Sequence, residues 1–144
     1  MSKIITVKGI VTNNIPEQIM LFTGGQGNFD VGYKIIDFQI APNDPSGSVE
    51  LTAKITTIEG AHASSWNWSK NTEVAWAAWG IPISTRSGFY NNVDDEVVIA
   101  EDIFVDVTGT AGGRTNYELT LEQVKTTDSE AALSMINTRA QGSD

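Results

Sequence analysis

Four tryptophans, Trp66, Trp68, Trp76 and Trp79, crowd one short stretch, and the chain's single histidine, His62, lies just before them. In an extended strand alternate side chains share a face, so Trp66 and Trp68 would lie together while Trp76 and Trp79 would part. Two flat rings on one face could cover the apolar side of a pyranose, the chemistry of a carbohydrate platform. Large aromatic rings more often fill cores or subunit contacts, where they dominate binding energy. Ala75, Ala77 and Ala78 surround Trp76 with small neighbours, which favours that role. We read the four tryptophans as core or interface residues, with glycan stacking on Trp66 and Trp68 as the alternative.

Other groups offer less chemistry. His62 sits in the small-residue run Gly60–Ser65; no G-x-S-x-G elbow accompanies it, and nothing in the sequence orients its ring. It reads as a loop histidine, exposed or hydrogen-bonded. Asp94, Asp95, Glu96, Glu101, Asp102 and Asp106 form an acidic stretch. A glycosidase needs two such carboxyls about 5–10 Å apart across a sugar cleft, and short loops provide little material for one. Asn91, Asn92, Asp94 and Asp95 offer hard oxygens to calcium within one loop, although their spacing is not that of an EF-hand. Asn91, Asp94 and Asp95 are therefore the metal candidates, and calcium the one cofactor the residues suggest. Gly24-Gly25-Gln26-Gly27 lacks the lysine of a phosphate loop and reads as a turn. Asn67-Trp68-Ser69 is formally a glycosylation sequon, relevant only to a secreted eukaryotic chain.

The elements that carry these residues are strands. The chain has 144 residues, no cysteine and formal charge −9. A chain of this length suits one domain. Without cysteine there is no disulfide framework or thiolate chemistry. Isoleucine and valine far outnumber leucine and threonine is abundant; β-branched side chains fit a pleated sheet better than a helix. Val49, Leu51, Ala53 and Ile55 alternate with Glu50, Thr52, Lys54 and Thr56, and Tyr117, Leu119 and Leu121 alternate with Glu118, Thr120 and Glu122. That period marks half-buried antiparallel strands. Ile36, Phe38 and Ile40, and Ile103, Val105 and Val107, repeat it. Less regular candidates are 4–12, 18–23, 73–79, 88–90 and 97–100. Turns rich in Gly, Asn and Pro separate them, notably Pro42–Gly47, Asn91–Asp95 and Thr108–Gly113. About eight strands in one domain, 1–144, predict an antiparallel, jelly-roll-like β-sandwich. Thr127-Asp128-Ser129-Glu130 resembles a capping box, and Ala132, Leu133, Ile136 and Arg139 recur at helical spacing, which predicts a short helix over 129–140.

Charge narrows the partners. The first half is nearly neutral and the second carries almost all the net charge; no Lys or Arg lies between Arg86 and Arg114. Phosphate-backbone binding needs clustered bases, so nucleic acid is excluded as a partner. No apolar run is long enough for a membrane helix, and Met1–Val11 lacks the apolar block of a secretory signal.

The strings Gly32-Tyr33-Lys34-Ile35-Ile36-Asp37-Phe38 and Tyr117-Glu118-Leu119-Thr120-Leu121-Glu122-Gln123-Val124, the latter followed by the expected helix, resemble small virion proteins of marine tailed bacteriophages. These strings cover about a third of the chain and hold no reactive group, so no functional residue is carried over. The resemblance implies a non-enzymatic capsid decoration or stabilising subunit. Such a protein would be made in the host cytoplasm and carried on the virion surface, with the major capsid protein and copies of itself, in a trimer or other cyclic form, as partners. A carbohydrate-binding sandwich on a phage fibre and a single-jelly-roll capsid-forming subunit are the alternatives. The latter commonly carries a basic inner face or arm, which this acidic chain does not offer.

Overall fold

A computed structural model describes residues 3–21, 31–44, 49–83, 86–94 and 96–125. Eight strands carry the fold: β1 (Lys3–Thr12), β2 (Glu17–Ile19), β3 (Val31–Pro42), β4 (Leu51–Thr56), β5 (Glu73–Ile83), β6 (Arg86–Val93), β7 (Ile103–Thr108) and β8 (Arg114–Lys125). They form a three-stranded sheet, β1-β8-β3, and a five-stranded sheet, β2-β7-β4-β5-β6, with antiparallel neighbours throughout. The protein is a β-sandwich, and the described residues contain no helix. The expected helix at 129–140 and the Gly24–Gly27 turn lie outside the described residues, as does the second half, 45–47, of the Pro42–Gly47 turn.

The connectivity is that of a long antiparallel ribbon rolled on itself. Such a ribbon pairs its first strand with its last, its second with the seventh, its third with the sixth and its fourth with the fifth. The β1–β8, β2–β7 and β4–β5 ladders follow that scheme. The remaining pair does not form a ladder: β6 hydrogen-bonds to β5 and meets β3 instead through the Asn91 amide, which donates to Asp37 Oδ1 at 2.9 Å. The sandwich is jelly-roll-like in this sense, with its sixth strand transferred to the larger sheet.

Alternation dictates the core. Leu51, Ala53 and Ile55 of β4, Ile103, Val105 and Val107 of β7, and Leu119 and Leu121 of β8 are all fully buried, facing one another across the sandwich with Ile35 and Phe38 of β3. Each such side chain contributes about 1.5–3 kcal/mol by leaving water. Strand β3 departs from its expected phase. A bulge between Ile35 and Asp37 shifts the register, so Ile35 is buried and Ile36 is exposed. An inserted residue reverses the faces of everything preceding it, which simple alternation from Ile36 does not register. The ninth strand candidate, 97–100, reduces to a single bridge between Ile99 and Tyr33. In β5 a second bulge centres on Gly80, at φ 68°. Any Cβ there would collide with the Val49 carbonyl oxygen, so the position requires glycine on both counts.

Candidate functional site: an aromatic strap over the larger sheet

Residues 57–72 join β4 to β5 without regular structure of their own. Loops longer than about 12–15 residues are uncommon in compact domains unless they have a task. This one lies over the outward face of the five-stranded sheet. Register places Asp106 (β7), Lys54 (β4), Trp76 (β5) and Asn92 (β6) in one row across that face. An uncovered row would leave Asp106 and Lys54 in water. Instead Lys54, Glu73, Trp76 and Asp106 are all buried.

The strap is fastened along that row. At the β7 end, His62 Nδ1 meets Asp106 Oδ1 at 2.5 Å, and the Ala63 N–H donates to Asp106 Oδ2 at 3.0 Å. Over β4, the Lys54 ammonium donates to the Ser65 carbonyl at 2.9 Å and to Glu73 Oε2 at 3.3 Å. Glu73 Oε1 accepts from the Asn67 N–H at 2.8 Å and the Trp76 indole N–H at 3.2 Å. Both carboxylates thus have donors on both oxygens, as buried charge demands. A lone member of such a buried pair costs about 3–5 kcal/mol, so the network specifies the strap's position.

Aromatic rings complete the cover. Trp66 stacks on Tyr90 of β6, centroids 5.8 Å apart at 27°, and Trp68 meets Trp76 at 5.4 Å and 45°. Such pairs add about 0.5–1.5 kcal/mol beyond area burial. The outcome is a braced ridge whose crest stays in water: Trp68 is 57% exposed and Tyr90 41%. Trp76 is buried beneath the strap, on the outward side of its strand. Trp79 faces the other way and packs against the sandwich core, so the two part as alternation requires. Trp66 and Trp68 belong to a loop and not to a strand, and each pairs with its own sheet residue. They do not form the two-ring platform expected of adjacent strand positions.

The remaining candidates have structural partners. Sequence alone identified nothing to orient His62; Asp106, distant along the chain, does so. A catalytic triad would also need a hydroxyl at the second ring nitrogen, and among the described residues none is hydrogen-bonded to His62. Asn91 turns its amide nitrogen to Asp37, and Asp94 Oδ1 accepts from the Glu96 N–H at 3.2 Å, closing a local turn. Asp95 lies outside the described residues. Among the described residues no three His, Cys, Asp or Glu side chains group as a metal would require. Asp102 is engaged by Gln18 Nε2 at 2.9 Å and the Leu21 N–H at 2.8 Å, fixing the segment after β2.

Lys54 and Glu73 escaped the sequence reading because each occupies an outward strand position, where charge normally means solvent; the sequence marks Asp106 only as one carboxylate of the acidic stretch. The chain is thus a jelly-roll-like β-sandwich with an aromatic ridge on its larger sheet. No protein-family model matches the chain, and no curated protein matches it.

Proposed function

We propose that this chain is a non-enzymatic virion protein, a capsid decoration or stabilising subunit that self-associates and binds the capsid shell. The observation that carries the reading is the ridge: two exposed aromatic residues, Trp68 and Tyr90, each backed by a second ring, with the strap fastened to the sheet by the buried Lys54–Glu73 ion pair and the Asp106 hydrogen bonds. Aromatic anchors fixed before binding lose little conformational entropy on contact, and they are the residue types that dominate protein interfaces. The rolled-ribbon connectivity adds support, since jelly rolls are common among capsid and lectin domains; that support is an analogy of fold and not of site. The acidic second half suits a basic partner surface.

The test is co-sedimentation of the purified chain with capsids of its source virus, with light scattering for its oligomeric state. The reading expects a stable oligomer that pellets with capsids, and weaker binding by Trp68→Ala. A monomer that stays in the supernatant overturns it.

A further inference from the structure

The three-stranded sheet ends in an open edge. Strand β1 pairs only with β8, in unbroken register from Lys3–Gln123 to Thr12–Arg114. An edge strand offers its unpaired N–H and C=O groups to any other strand, and proteins blunt such edges by shortening, bulges, proline or a cover. The other edges carry these devices. Strand β2 has three residues, β3 has a bulge, ends in Pro42 and bonds to Ile99 through Tyr33, and the ladder of β6 with β5 is interrupted at Gly80. Strand β1 has none of them, and among the described residues nothing covers it. The phase of its free groups follows from its end. The Asn13 N–H donates to the Gly113 carbonyl, one step beyond the Thr12–Arg114 pair, while the Arg114 carbonyl turns the other way, to the Asn43 N–H. Odd-numbered residues of β1 therefore bond to β8, and Ile4, Thr6, Lys8 and Ile10 direct their backbone groups to the open edge.

We propose that a second copy of this chain pairs antiparallel with that edge, about a two-fold axis at Val7. On the outer face this register opposes Ile4 to Ile10 and Thr6 to Lys8 of the second copy, each pair exchanging two backbone hydrogen bonds. On the inner face Val7 meets its own counterpart and Ile5 meets Gly9. The Tyr117 ring lies over Gly9, within 2.8 Å of where a Cβ would stand, so Ile5 of the second copy closes over that ring. Ile5 and Val7 pack against the core but stay only half-buried in one chain, which leaves apolar surface for the partner to cover. Neighbouring axes fit worse. An axis at Lys8 sets two lysines face to face, and one at Thr6 sets each Ile4 against a lysine. Charge permits the approach: no Asp or Glu precedes Glu17, and on the sheet's outer face Lys8 opposes Glu118 and Lys34 opposes Glu122. The pairing deepens the self-association proposed above and requires no capsid.

Sedimentation velocity over a concentration series reads the dimer, and oxidation of single-cysteine variants reads its register, since the chain has no cysteine of its own. A reversible dimer is expected. Val7→Cys should cross-link, and Ile4→Cys, whose copies stand about 20 Å apart along the paired strands, should not. Thr6→Glu should tighten the dimer about fivefold by opposing Lys8, and Thr6→Lys should weaken it about as much. Within one chain the preference is reversed, because position 6 lies between Glu118 and Glu122 of β8, which favour lysine; an effect on folding therefore cannot imitate the result. A monomer at millimolar concentration overturns both this pairing and the self-association proposed above, and protection of the Thr6 and Lys8 amides in that monomer would show the chain covering its own edge. An oligomer that does not cross-link at Val7→Cys, or that ignores both Thr6 substitutions, overturns the pairing alone.

Discussion

Asn13 joins two corners of the sandwich that are far apart in sequence. Its backbone N–H donates to the Gly113 carbonyl at 2.9 Å, its side-chain nitrogen to the Thr110 carbonyl at 3.0 Å, and its side-chain oxygen accepts from the Thr115 hydroxyl at 2.6 Å. Asn14, at φ 66°, adds a reciprocal pair with Gly109. Asparagine tolerates that left-handed backbone better than most residues. Because Asn13 and Thr115 are buried, Asn13→Ala strands a hydroxyl away from water and should lower unfolding free energy by about 1–3 kcal/mol, read by urea denaturation. Tyr117 provides a pH signature. Burial, and secondarily the Glu17 charge, raise its phenol above the ordinary value of 10.0. The neutral phenol is therefore favoured in the folded state. Its contribution to stability is complete below about pH 10 and is lost as pH rises through the raised folded value. Alkaline titration at the phenolate absorption band should show a tyrosine ionising late, and Tyr117→Phe should remove that component.

At the scale of elements, strands with unbroken alternation were legible and the devices that interrupt alternation were not. The inward sides of β4, β7 and β8 follow directly from the spacing of Leu51, Ala53 and Ile55, of Ile103, Val105 and Val107, and of Leu119 and Leu121. In β3 the doublet Ile35-Ile36 fits either phase, and only pairing with Leu121 and Thr120 of β8 decides it. The two residues should respond differently to substitution. Ile35→Ala should cost about 2–5 kcal/mol, as buried truncations do. Ile36→Thr, on the exposed side, should change stability by about 0.5 kcal/mol or less. Equal losses from the two would contradict the register. The strap was illegible for a related reason. Lys54, Glu73 and Asp106 are buried by residues 57–72, and neither helical nor strand periodicity describes such a segment. The tryptophans announced a contact region, while the sequence held no local sign of which rings would pair.

Across the whole molecule, absence of cysteine and scarcity of histidine limit reactive chemistry, and the structure shows how the remaining polar groups are used. Asp106 with His62, and Glu73 with Lys54, fasten the strap; Asp102 anchors the chain after β2; Asn91 links the two sheets through Asp37. Asp102 and Asp106, two carboxylates of the acidic stretch, therefore have positioning roles in the fold. On the five-stranded sheet the aromatic ridge reaches solvent, with Trp68 and Tyr90 at its crest. The ridge is the basis of the proposed assembly role. The most direct test is saturation co-sedimentation with capsids of the source virus, comparing the native chain with Trp68→Ala. The account predicts saturable pelleting by the native chain and marked loss in the variant, which should remain folded with a stability deficit of about 1 kcal/mol from the lost ring contact. Equal pelleting of the two proteins would contradict the role of the ridge, and pelleting of neither would contradict the assembly function itself.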